Sequence, residues 1–322
     1  MIIGLIDHDR GKLNELSLQM LTLARQLAGQ QNLPLHAILI GAEARPLVER
    51  AQALGVSTVH LAQHASLSEY APGAWAQSVI EVLKAANPQA VLAPGTERGN
   101  EVLAHVAARM NLPMAANCTE VQPGQSYQLT RMRWGGSLLE ESRLTGAVKL
   151  LTVAPHAVAT EEAPAGECVV KEFTPALAEK DLRVRVTARV ESSRDKISLA
   201  EARFVVGGGR GVGSAENFKS LEELAELLGG AVGCSRAVTS LGWRPHADQI
   251  GQTGTRIAPE IYFACGVSGA IQHMVGCKGA KRILAINTDP EASIIANADY
   301  AVIGDLNEVV PAIVAEIKKA KK

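Results

Sequence analysis

Ile261-Tyr262-Phe263-Ala264-Cys265, then Ser268-Gly269-Ala270-Ile271-Gln272-His273, then Ile283-Leu284-Ala285-Ile286-Asn287 is the stretch that decides the fold. Two short apolar runs bounded by turn signals read as strands buried on both faces. The small, polar segment between them is a loop that enters a helix, so the whole is a strand, loop, helix, strand crossing. In an open α/β sheet such a loop lies outside the carboxyl ends of the strands, where nucleotides are held.

Working outward, the second half repeats the same grammar. Residues 202–206 read as a strand, 207–213 as a glycine-rich loop, and 214–228 as a helix with Leu221, Leu224, Ala225 and Leu228 on one face. Ser214, with Glu216 and Asn217 nearby, is the expected N-cap region. Strands follow at 231–234, 261–265, 282–286 and 300–303, and a last helix at 306–319. This predicts a doubly wound parallel sheet.

The first half alternates strands at 2–6, 35–40, 57–61 and 90–93 with helical periods at 13–28, 44–53, 74–86 and 97–110. That is a three-layer α/β unit with a mostly parallel sheet. From 117 to 174 the pattern shifts to short strands with turn signals at Pro123-Gly124 and Gly135-Gly136. Residues 128–134 alternate and 148–153 are apolar enough to be central, so an antiparallel or mixed extension of the first sheet is expected. Between 180 and 194, Leu182, Val184, Val186 and Val190 alternate with charges before Ser192-Ser193-Arg194-Asp195. The expected boundary is near residue 192, giving domains 1–191 and 192–322.

The 322 residues suit about two domains. A hydrophobic content of 47% and a charged content of 20% are those of a soluble globular chain, and 3% aromatics leave no stacking surface for single-stranded nucleic acid. A net charge of −1 lacks the footprint of a DNA binder. The Lys318, Lys319, Lys321, Lys322 cluster reads as a solvated helix end. Cys118, Cys168, Cys234, Cys265 and Cys277 show neither C-x-x-C nor zinc spacing, and a reduced compartment fits. The chain opens directly on a strand, without a basic n-region, and no apolar run approaches the roughly 20 residues that span a bilayer. A cytoplasmic location is expected, with no metal, no nucleic acid and no direct membrane insertion.

The loop Gly207-Gly208-Gly209-Arg210-Gly211-Val212-Gly213 satisfies neither G-x-G-x-x-G nor a Walker A pattern. It is either an anion cradle of bare amides or a tight turn, and its Arg210 favours the cradle. In Gly233-Cys234-Ser235-Arg236 a strand ends in an Arg whose charge is fixed at any pH. Gln249-Ile250-Gly251-Gln252-Thr253-Gly254-Thr255-Arg256 is polar and aperiodic: a loop over the same crevice or a plain connection. Ser268-Gly269 would let backbone approach a pyrophosphate, while Gln272 and His273 project from the first turn of the next helix. These polar loops follow strands of one parallel sheet and should share one edge.

Together these motifs, with Ala285-Ile286-Asn287 and Ala298-Asp299-Tyr300, resemble the α subunit of electron transfer flavoproteins over about residues 203–320. The first domain is similar only in length and in weak markers such as residues 131–136. The resemblance implies a heterodimer with a β subunit in which this chain's second domain binds FAD. The positions implied are Arg210, Ser235, Arg236, Ile250, Gly251, Gln252, Thr253, Ser268, Gly269, Ala270, Ile271, Gln272, His273, Asn287, Asp305 and Leu306.

It implies further that Arg236 lies against the isoalloxazine and favours its anionic one-electron form, and that Thr253 donates or accepts at flavin N5. His273 would sit near the pyrimidine carbonyl, Ser268, Gly269 and Ala270 would meet the pyrophosphate, and Asn287 with Asp305 the ADP moiety. No residue is expected to be catalytic in its own right. The implied role is electron transfer from flavin dehydrogenases, of the acyl-CoA type of fatty acid β-oxidation or related, to a quinone reductase or another acceptor. An electron-bifurcating α subunit working with NADH is the alternative. An NAD-linked dehydrogenase and a nucleotide-sensing module are the readings from other classes, and the absent G-x-G-x-x-G and absent acid/base pair stand against the dehydrogenase.

Overall fold

The computed structural model describes residues 1–164, 166–188 and 197–321, which divide into two compact units, Met1–Val190 and Glu191–Lys322. The boundary expected near residue 192, with Val190 and Ser192 to Asp195, lies outside the described residues.

The first unit is built on a nine-stranded sheet in the order Val169–Phe173, Thr58–Ala62, Leu35–Ile40, Ile2–Leu5, Ala90–Pro94, Lys149–Val153, Met114–Gln122, Tyr127–Arg133, Leu138–Leu144. Neighbours are parallel as far as Met114–Gln122, and the last two strands extend the sheet antiparallel. Because successive side chains point to opposite faces, each strand feeds two cores. Ile3, Leu5, Ile38 and Ile40 pack under Trp75, Val79 and Val102, whereas Ile2, Ala37 and Leu39 pack under Met20, Leu21 and Ala24. The three-layer α/β reading and the antiparallel extension therefore hold.

Local chemistry moves several expected boundaries. The helix expected from 13 begins at Leu16, since Lys12–Leu13 pairs antiparallel with His8–Asp9. The helix expected over 44–53 is a 3-10 turn, Ala42–Leu47, followed by the short helix Val48–Gln52. Pro46, which has no N–H to donate, falls inside the turn. The helix expected from 74 starts earlier, at Pro72, where the missing donor costs nothing. Val169–Phe173 lies beside Thr58–Ala62, at the opposite edge from the antiparallel extension. Its exposed, charged pattern gives no sign of that place.

The second unit holds a five-stranded, wholly parallel sheet in the order Ala231–Cys234, Phe204–Gly208, Ile261–Cys265, Ile283–Asn287, Tyr300–Ile303. Phe218–Leu228 and Leu306–Ala320 cover one face through Phe218, Leu221, Leu224, Val310 and Val314. Cys277 from Ile271–Cys277 and Ile294 from Ser293–Ala296 enter the core on the other face. The sheet is doubly wound, and the order reverses between Phe204–Gly208 and Ile261–Cys265. One start signal fails: the helix expected from Ser214 begins at Phe218. Gly213 holds φ +88° and Asn217 Nδ2 donates to the Val212 carbonyl at 2.8 Å, so 213–217 is a turn.

Candidate functional site

The carboxyl ends of the second sheet are stitched together one bond at a time. Ile250 N–H donates to Cys234 O (2.8 Å), Ser235 to Gly208 (2.9 Å), Gly209 to Cys265 (2.8 Å), Gly266 to Ile286 (2.8 Å) and Gly304 to Asn287 (3.0 Å). The segment at Gln249 lies parallel against Cys234, and Gln252 N–H reaches Gln272 O at 2.7 Å. All the loops singled out in the sequence thus share one edge, at the switch point where ligands of such sheets lie.

Close approach of backbone makes this edge, and glycine permits it. A Cβ at Gly209 would stand 2.1 Å from Gly266 O, and one at Gly276 would stand 2.4 Å from the Cα of Gly251. Gly269, at φ +82°, would bring a Cβ to 2.2 Å from Ile294 N, so its first need for glycine is the neighbouring chain. The amides of Ser268, Gly269 and Ala270 nevertheless have no acceptor among the described residues. A run of free amides is what an anionic ligand seeks.

Arg210 and Arg236 are exposed at this edge, and among the described residues neither pairs with an acid. Asn287 and Asp305 are already engaged. Asn287 Nδ2 donates to Val267 O (2.9 Å) and its Oδ1 accepts from Asp289 N–H (3.0 Å); Asp305 Oδ1 caps the last helix by accepting from Asn307 N–H (2.8 Å). Leu306, Ile250, Gly251 and Gly269 are buried and contribute backbone, while Ala270, Ile271, Gln272 and Ser268 are exposed.

Thr253 and His273 are held from beneath by two residues that the sequence reading missed. Gln249, 2% exposed, accepts from the Thr239 hydroxyl (2.8 Å) and donates through Nε2 to Thr253 Oγ1 (3.0 Å), which leaves the Thr253 proton for another acceptor. His273 does not project as expected: it is 7% exposed, and its Nε2 lies 2.7 Å from the hydroxyl of the wholly buried Tyr262. Helix position alone does not reveal facing, and packing turned the ring inward. Burial pushes its pKa down to about 4, against a smaller upward pull from the Ile250 carbonyl, so the ring is neutral near pH 7. The signals available were a Tyr in an apolar strand and a Gln just before a glycine turn, neither of which is specific.

The corresponding edge of the first unit is filled by its own side chains. His8 Nε2 is 2.8 Å from Ile40 O, and Arg98 donates to His8 O (2.8 Å) and to Asp9 (3.0 Å) while lying over the Tyr70 ring. Tyr70 in turn donates to Glu101 at 2.7 Å. Among the described residues no cluster of His, Cys, Asp and Glu suits a metal, and no helix is long and apolar enough to cross a membrane.

Residues 2–178 match the electron transfer flavoprotein domain, and residues 198–278 match the electron transfer flavoprotein FAD-binding domain. The chain is 34% identical to the electron transfer flavoprotein subunit alpha of Thermoanaerobacterium thermosaccharolyticum, over 97% of this chain and 96% of that one. It is 35% identical to the protein FixB of Clostridium saccharobutylicum, over 96% and 93%. The electron transfer flavoprotein subunit alpha of Mycobacterium tuberculosis is 37% identical over 99% of both chains.

Proposed function

The chain belongs to the electron transfer flavoprotein α-subunit family, and from that membership we propose that it pairs with a β subunit to carry electrons between flavin dehydrogenases and a quinone reductase or another acceptor. Its second half carries the family's FAD-binding domain. Acyl-CoA-type dehydrogenases of fatty acid β-oxidation are the proposed donors, and the cytoplasm is the proposed location. The assignment of 1–191 to subunit contact and 192–322 to FAD belongs to the same proposal. The exposed Trp134, Leu138 and Leu139 at the tip of the antiparallel hairpin give that contact an apolar surface.

The residues present fit FAD. A dinucleotide is anionic at its diphosphate and rich in acceptors at its flavin. The edge offers the free amides of Ser268, Gly269 and Ala270, Arg210 and Arg236 without an acid, a Thr253 proton, and the buried His273 Nδ1, which has no hydrogen-bond partner among the described residues. FAD, when bound, supplies the one- and two-electron chemistry. Arg236 brings a guanidinium charge that favours negative charge beside it. Gln249 keeps Thr253 oriented as a donor. Asn287 and Asp305 act through the loops they hold, with Asp305 Oδ2 left for a ligand.

The observation that carries the reading is the pair Arg210 and Arg236, exposed and without an acid among the described residues, at the edge where all five strands end. Co-purification with the β subunit tests it. The expected product is a yellow complex that releases FAD on denaturation, and a colourless complex would contradict the proposal. Two FAD per heterodimer, in place of one, would move the reading to electron bifurcation.

A further inference from the structure

Tyr262 is the largest side chain in the core on its face of the second sheet, and the neighbouring strand is shaped around it. A Cβ at Gly207 would lie 2.5 Å from the Tyr262 hydroxyl. Glycine inside a strand marks such a close approach. The ring therefore lies flat across Gly207, and its hydroxyl reaches 2.7 Å from Nε2 of His273, with the two rings tilted by 31°. Tyr262 is 0% exposed and its hydroxyl has no second partner among the described residues.

A proton count then fixes the direction of that bond. A neutral imidazole carries one N–H and one acceptor nitrogen. If Nε2 held the proton, the Tyr262 hydroxyl would accept it, and the hydroxyl's own proton would be buried without an acceptor. If the hydroxyl donates, every atom of the pair is satisfied except His273 Nδ1, which carries the ring's proton. Nδ1 is the one side-chain atom of this pair that lies buried without a hydrogen-bond partner among the described residues. A buried donor left unmade bears its full desolvation cost, so such an atom calls for an explanation.

We infer that Tyr262 is a positioning residue: its hydroxyl donates to His273 Nε2 and so holds the proton on Nδ1, the buried donor left to meet an acceptor oxygen of the bound dinucleotide. The inference rests on the reading that FAD occupies this edge, and adds what that reading lacks, namely which ring nitrogen serves the ligand and what selects it. The Ile250 carbonyl is near enough to the ring to favour its charged form, yet Nδ1 makes no well-formed hydrogen bond among the described residues. The family's His273 contact thereby becomes a neutral donor whose tautomer is set from the core.

The test uses the complex with its β subunit, nitrogen-labelled in histidine only, with His273→Gln to assign the signal. The one-bond N–H coupling shows which ring nitrogen is protonated. The expected result is an Nδ1–H that exchanges slowly and shifts when FAD is added to FAD-stripped complex. In Tyr262→Phe that signal should be lost or shared with Nε2, and FAD should be retained about fivefold less tightly, the effect of one neutral hydrogen bond.

An Nε2–H in the unsubstituted complex overturns the inference and needs no variant to show it. An unchanged tautomer in Tyr262→Phe also overturns it. A complex that takes up FAD without moving the His273 signal overturns the ligand contact while the FAD site stands. A complex that takes up no FAD overturns the FAD reading, and its tautomer still decides the role of Tyr262.

Discussion

The two sheets present the same kind of edge and use it in opposite ways. In the first unit the strand order also reverses, between Ile2–Leu5 and Ala90–Pro94, yet the crevice is closed by Arg98, which is bonded to His8 O and Asp9 and lies over the Tyr70 ring. In the second, the strand ends are joined backbone to backbone and the cations Arg210 and Arg236 lack acids among the described residues. The lesson is that topology supplies a location for a ligand, while the local charge and hydrogen-bond count decide whether the location is free. A guanidinium already bonded to a carboxylate and a carbonyl has little left for a phosphate or a flavin.

The contrast can be broken first at its backbone. Gly209→Ala sets a Cβ against the Gly266 carbonyl, which cannot rotate away. The expected cost is about 3 kcal/mol in denaturant unfolding, with loss of FAD from the complex. An alanine variant of normal stability and FAD content would show that the loops are not fixed by this approach. Arg236→Ala should leave the unfolding midpoint unchanged and weaken FAD binding by about 1.5–3 kcal/mol, measured by titration of the stripped complex, since a charged contact to ligand is lost without any within the chain. The potential of the bound flavin should fall as well. Arg98→Ala should do the reverse: about 1–2 kcal/mol of stability lost and FAD binding intact.

The smallest effect is in pH and touches both units. Burial pushes His60 down to about 4, helped by its neighbour His36 and by Lys171, and His273 is also near 4. Both are neutral when folded and protonate near 6.5 when unfolded. Their contribution is therefore whole above pH 6.5 and is lost as pH falls toward 4, where the unfolded chain binds more protons. Unfolding midpoints followed from pH 7 to pH 4.5 should decline, and replacing His60 with Gln should flatten the decline.

The alternation of apolar runs made both sheets legible, and the shared edge followed because loops after parallel strands must lie on one side. What stayed hidden depended on partners remote in sequence. Val169–Phe173 is a strand only because Thr58–Ala62 accepts it. His273 looked like a projecting helix residue until Tyr262, on the preceding strand, claimed its Nε2. Asn287 and Asp305 are expected to meet the ligand, and what the sequence does not show is that both side chains also bond nearby backbone, as short polar side chains do. Gln249 belongs to the same class: its amide matters only because Thr239 and Thr253 stand on either side.

The central claim is that the open edge of the second sheet, and not the filled edge of the first, receives FAD. Amide hydrogen exchange of the heterodimer with and without FAD tests it directly. The account predicts added protection at residues 250–253 and 266–273, where the free amides of Ser268, Gly269 and Ala270 lie, and no change at residues 7–9 and 96–98. Protection at 7–9 and 96–98 with none at 266–273 would contradict it.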